Sequence, residues 1–88
     1  MHIEFSDEAV WAGERSSVFF RAKVDGKNVR CFVSREALDD HCGGDGVDDY
    51  VPIFHIHRKK ILVVAEKMIQ AGYISPAGEL IVSSNFFP

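Results

Sequence analysis

The chain has 88 residues, 47% apolar and 26% charged, the mix of an ordinary folded protein rather than a disordered or fibrous one. That length suffices for one small domain, residues 1–88, with one thin core, burying about 64% of the surface its unfolded form exposes. Ten basic against thirteen acidic residues leave a net charge of −3, which excludes nucleic-acid binding driven by net charge alone.

Ile3 and Phe5 alternate with His2 and Glu4, a short strand, and a loop follows from Ser6 to about Ser16 with Trp11 and Gly13 in it. Val18, Phe20, Ala22 and Val24 then alternate with Phe19, Arg21 and Lys23. Asp25-Gly26 supplies the positive φ angles of a tight hairpin turn. The return strand sets Val29, Cys31 and Val33 on one face and Asn28, Arg30 and Phe32 on the other. Ser34 reads as the N-cap of a helix of barely two turns that ends at Gly43-Gly44. After an acidic loop, Asp45 to Asp49, with Asp48 or Asp49 as a second cap, one long helix is predicted from about Tyr50 to Ala71, stopped by Gly72. Pro52 falls near its start, where the missing N–H costs little. Its core arc holds Tyr50, Ile53, Phe54, His57, Ile61, Val64, Ala65 and Met68. Pro76-Ala77-Gly78 makes a turn, and Glu79 to about Ser84 is a last strand. The order is β-β-β-α-α-β, an α+β fold with an antiparallel sheet packed against one long helix.

This pattern resembles a family of short bacterial proteins known as domain of unknown function 1488. The resemblance rests on Ile3-x-Phe5-x-Asp7, Trp11, Val18-x-Phe20 and Val24-Asp25-Gly26. It continues through Cys31-x-Val33-Ser34-x-x-Ala37-Leu38, Phe54, Arg58, Ile61, Ala65-Glu66 and Ile69. It implies an α+β single-domain protein and carries no catalytic residue, because the family has no assigned activity.

Charge is segmented: residues 1–14 sum to −4, 15–30 to +4, 31–50 to −5 and 51–88 to +2. The basic block is the hairpin, and its outer face presents Phe19, Arg21, Lys23, Arg30 and Phe32. Pairing across Asp25-Gly26 sets Arg21 against Arg30, a repulsion of about 0.2–1 kcal/mol. Three readings compete for this face. In the plainest, Glu4 or Glu79 neutralises the arginines and the aromatics pack on the loop bearing Trp11. In the second, the aromatics stack bases while the cations hold phosphates. In the third, the face is a homodimer contact. Ile56 and Val63, seven apart on the otherwise polar side of the long helix, also call for a partner or a covering loop.

Other chemistry is thin. His55 and His57 fall on different sides of their helix, and Arg58, Lys59 and Lys60 spread around it as a solvated side. His41-Cys42 with Cys31 lacks the paired spacing zinc requires, so no metal is expected. The run Asp39, Asp40, Asp45, Asp48, Asp49 fails the calcium-loop template, which would place Tyr50 at its glycine and Ile56 at its glutamate. No nucleophile elbow, phosphate loop or dinucleotide fingerprint is present, and a domain this small is expected to enclose no substrate pocket of typical volume. No cofactor is expected. The longest apolar run, Ile61 to Ala65, is too short to cross a bilayer, and Glu4, Asp7 and Glu8 stand where a leader would be basic and then apolar. Two cysteines make no disulfide framework, so a reducing cytoplasm is expected. The terminal Phe86-Phe87 predicts docking of the tail, the protein's own sheet being one surface for it. The sequence thus points to a cytoplasmic, non-enzymatic interaction domain that forms homo-oligomers or meets a protein partner through the outer hairpin face. The alternative is a nucleic-acid or regulatory accessory protein using the same residues, and neither involves a membrane.

Overall fold

A computed structural model describes residues 1–44 and 46–88; Asp45, part of the acidic run, lies outside the described residues. Four strands form one sheet in the order β1 (Ile3–Ala12), β2 (Ser17–Val24), β3 (Lys27–Ser34), β4 (Glu79–Val82). Between β3 and β4 run three helices, α1 (Arg35–His41), α2 (Tyr50–Ile56) and α3 (Arg58–Gln70). The fold is α+β with a mixed sheet, in the order β-β-β-α-α-α-β.

The central hairpin follows the expected register, with Phe20 opposite Cys31, Phe19 opposite Phe32 and Arg21 opposite Arg30. Asp25 and Gly26 take φ of 52° and 83°, the doubly left-handed turn whose twist matches two antiparallel strands. Asp25 also holds the chain start, its carboxylate accepting from the His2 N–H at 2.8 Å and its own N–H donating to the His2 carbonyl at 2.8 Å. A Cβ added at Gly26 meets nothing within 4 Å, so Gly26→Ala isolates the backbone penalty. We expect a loss of about 1 kcal/mol, read as a drop of about 4–8 °C in a thermal melt.

Three expectations need correction. The first strand does not stop at Phe5: it runs to Ala12, with a register shift between Phe5 and Ala9. Two extra residues on β1 are accommodated there, which breaks the alternation without changing which face the odd-numbered side chains take. The sheet is not wholly antiparallel, since β4 lies beside β3 and runs parallel to it; the helical crossover between them is long enough to carry the chain back to the starting end. The long helix is interrupted at His57 (φ −105°, ψ 18°), although His57 N–H still donates to Ile53 and Ile61 N–H to His57. The kink lets α2 pack on β1 and β2 while α3 packs on β4, and it leaves His57 half-buried rather than in the core.

The caps form where expected. Ser34 Oγ accepts from Ala37 N–H at 3.1 Å, and the Asp49 carboxylate accepts from Val51 N–H at 3.1 Å. Pro52 sits in the first turn of α2. After α3, Gly72 takes φ 85°, and the N–H groups of Gly72 and Tyr73 return to the carbonyls of Ile69 and Met68, closing the helix with a left-handed residue. All helices lie on the sheet face that carries Val18, Phe20, Ala22, Cys31, Val33, Leu80 and Val82, and this layer is the core. Phe54 enters it from α2, its ring 5.1 Å from that of Phe20. Trp11, at the margin of the same face, stacks on Tyr50 at 5.3 Å, and the Tyr50 hydroxyl donates to Asp39 at 2.8 Å.

Candidate functional site

No α-helix of the described residues packs over the opposite sheet face. Phe20 and Ala22 are buried beneath the helices while Phe19 and Arg21 point away from them, as the alternation requires. The strand registers then build a row that alternation within the hairpin alone does not show. Val10 pairs with Phe19, Phe19 with Phe32, and Phe32 with Ile81. An apolar stripe therefore crosses all four strands, with Val10 56% and Ile81 47% exposed at its ends. The neighbouring row is Arg21, Arg30, Glu79, also in register.

Of the five residues read from sequence, Arg21, Lys23 and Arg30 are exposed and Phe19 is half-buried. Phe32 departs from expectation. It lies on the outer face beside Phe19, ring centroids 5.3 Å apart, but is only 7% exposed. Arg15, from the turn after β1, folds back over it with its guanidinium 4.1 Å from the ring centre, a favourable cation–π geometry. The same guanidinium makes a two-pronged contact with the Glu79 carboxylate at 3.1 and 2.9 Å. Glu79 reaches Arg30 at 3.3 Å as well, and Arg30 donates to the Ala77 carbonyl at 3.0 Å. The Arg21–Arg30 repulsion is thus relieved on the Arg30 side, as one reading of the sequence anticipates, whereas Trp11 is on the other face and covers neither phenylalanine. Arg21 lies 5.6 Å from the Phe19 ring and has no carboxylate partner among the described residues. At the edge, Glu4 pairs in register with Lys23, and the His2 imidazole at 2.9 Å holds its carboxyl below the usual range, with a smaller contribution from Lys23. Sequence reasoning misses Val10 and Ile81. Val10 sits beyond the bulge, and the outward face of Ile81 depends on which strand β4 joins.

Ser84 Oγ donates to Asp40 at 2.8 Å, and the His41 Nε2–H points to the Ser84 carbonyl and hydroxyl at 3.0 and 3.1 Å. A hydrolytic triad needs the carboxylate to orient the imidazole and the imidazole to take the serine proton. Here the serine proton goes to the carboxylate, and the three groups brace the tail onto α1. Phe87 completes the brace, buried and stacked on His41 at 4.8 Å, while Phe86 meets Tyr73 at 4.9 Å. The tail therefore docks on α1 and on the turn after α3. Cys31 and Cys42 are both buried and free. Burial pushes the Cys31 thiol up to about 12 and raises that of Cys42, with Lys60 opposing the latter, so neither is a ready nucleophile at neutral pH. Among the described residues no three His, Cys, Asp or Glu side chains gather into a metal set, and no helix is long and apolar enough to cross a membrane. The surface holds a groove of about 570 Å³ between the outer side of α3 and the tail, open along its length rather than enclosed.

Comparison with known proteins agrees with this architecture. The family model described as "Protein of unknown function (DUF1488)" matches residues 3–82. A protein of Escherichia coli strain K12 called "Uncharacterized protein YrdB" is 32% identical over 68 residues, 77% of this chain and 80% of that one. Its namesake in Shigella flexneri is 31% identical over the same shares. A crystal structure of a DUF1488-family protein of unknown function from Shewanella loihica PV-4 superposes with a TM-score of 0.81 at 23% identity, covering 91% of this chain and 90% of that one.

Proposed function

The chain belongs to the DUF1488 family of proteins of unknown function, and from that premise we propose that it is a cytoplasmic, non-enzymatic interaction domain that self-associates through its open sheet face. The observation carrying this reading is the in-register row in which Val10, Phe19 and Ile81 flank an Arg15-covered Phe32, on a face that no α-helix of the described residues covers. Sheets bury such stripes by packing face to face about 10 Å apart. The row beside the stripe has both signs of charge, and a two-fold axis running along β3 would use them. Rotation about it reverses strand order while keeping the rows, so β2 of one copy lies over β4 of the other. Phe19 then meets the second copy's Ile81, and Arg21, which has no carboxylate partner among the described residues, meets the second copy's Glu79. Opposite charges placed this way fix orientation more than they add affinity. Use of the face as a single-strand platform has weaker support, because the Phe32 ring is already covered by Arg15 and Arg30 is engaged by Glu79 and Ala77.

Light scattering at micromolar concentration is expected to return about twice the 9.9 kDa chain mass. Ile81→Asp should weaken association by at least about 30-fold, the effect of removing an interface anchor worth 2 kcal/mol. Arg21→Glu should weaken it too. A mass of 9.9 kDa for the unaltered protein would end the proposal.

A further inference from the structure

The helical layer carries a second unpartnered surface that the open sheet face does not explain. On the solvent side of α2 and α3, Ile56, Lys60, Val63 and Lys67 follow one another at steps of four, three and four residues, so they fall on a single stripe. Ile56 is 73% and Val63 45% exposed. Together with Val64 and the tail they line the groove of about 570 Å³, whose far wall is built by Phe86 and Phe87. The wall is fixed in place by the Asp40–Ser84–His41 brace, so the groove is formed before anything enters it. Lys59, Lys60 and Lys67 are the charged side chains of a lining that also includes His57 and Pro88. Lys60 donates to the His41 carbonyl at 2.6 Å, which leaves two of its protons free. Neither Lys59 nor Lys67 has an ion-pair partner among the described residues.

We propose that this groove is the docking site for an acidic amphipathic helix of another protein. Charge complementarity fixes the sign of the occupant, since an apolar floor rimmed by lysines that have no acidic partner among the described residues attracts an apolar stripe flanked by carboxylates. Spacing fixes its form. Lys60 and Lys67 stand about 10.5 Å apart along the helix axis with Val63 between them, matching two turns of a facing helix with acids seven residues apart. A fatty-acid anion, with one carboxylate, would satisfy one end and leave the other bare. A second copy fits poorly. Apposing this face to itself would oppose like charges, and the chain's own acidic helix, α1, has its apolar residues Ala37 and Leu38 fully buried. The groove lies on the helical layer, so sheet-mediated self-association and groove occupancy are compatible.

The test uses the full chain and a fluorescein-labelled synthetic helix of 18 residues, with leucines at i, i+3, i+4 and i+7 flanked by glutamates. A twin peptide with lysines in place of the glutamates is the control. Fluorescence anisotropy should show saturable binding of the glutamate peptide, at least about tenfold tighter than its lysine twin and weakening as salt rises. The double variant Lys60→Glu/Lys67→Glu should reverse the preference, and Arg21→Glu on the sheet face should leave it unchanged. Circular dichroism checks that each variant is folded; these lysines are exposed, so folding should persist. Equal binding of the two peptides, no binding of either, or displacement of the glutamate peptide by dodecanoate at equimolar concentration would each overturn the proposal.

Discussion

Phe54→Ala is expected to cost about 3–5 kcal/mol of folding stability, the usual range for deleting a fully buried aromatic ring. Phe54 is 0% exposed and is the buried residue of α2, meeting the Phe20 ring at 5.1 Å, which in turn meets Phe5 at 6.2 Å. Removing it opens a hole between α2 and the strands β1 and β2, and backbone hydrogen bonding on both sides prevents collapse. A domain of this length has a total stability of about 4–13 kcal/mol, so the variant should melt tens of degrees lower or fail to fold at room temperature. Ile56→Ala, two residues along the same helix, should stay within about 0.5 kcal/mol, because that side chain is 73% exposed. Urea melts of the two variants measure the contrast, and near-equal losses would mean that α2 is not seated on the sheet through Phe54.

A second large effect is expected in alkali. Cys31 is fully buried on β3, and burial alone lifts its thiol to about 12, whereas in the unfolded chain a thiol ionises near 8.5. Above that lower value the unfolded state releases a proton that the native state keeps, so unfolding becomes progressively easier. The sign is therefore a loss of stability as pH rises, absent below about pH 8 and reaching about 1.4 kcal/mol per pH unit, or on the order of 4 kcal/mol by pH 12. Cys42 works in the same direction to a smaller extent. Cys31→Ala gives up some packing at every pH but should flatten the slope. Urea melts between pH 8 and 11 on both proteins separate this from the lysine and tyrosine titrations they share. Parallel slopes would show that Cys31 ionises without unfolding.

The hairpin and the caps were readable because their causes are local: a turn dipeptide, a period of two and a hydroxyl or carboxylate placed ahead of a helix. The family resemblance worked for a related reason, since its positions include pins of the fold. Arg58, at the head of α3, donates to the Ser6 carbonyl at 2.9 Å and lies 3.5 Å from Asp7, fastening the helix to the bulge of β1. What stayed hidden depends on partners far along the chain. Phe32 belongs by alternation to the wet face, and only the return of Arg15 over it, itself drawn by Glu79 sixty-four residues away, makes it dry. The outward stripe needed both the bulge and the parallel seat of β4 before Val10 and Ile81 could join it. The kink at His57 leaves no mark in the hydrophobic pattern, because the residues on either side keep their helical phase. The groove was half visible, in the exposed Ile56 and Val63, but its second wall comes from a tail whose resting place the sequence left open.

The slack in β1 is even-numbered, two residues between Phe5 and Ala9 beyond what β2 matches, and this constrains how the segment can vary in length. Losing or gaining a pair of residues at Ser6-Asp7-Glu8 would tighten or loosen the bulge and leave Trp11 against Tyr50. Changing the count by one would turn the rest of the strand over, exposing Ala9 and Trp11 to solvent and driving Val10 toward the helices. Insertions and deletions at this corner should therefore survive in twos.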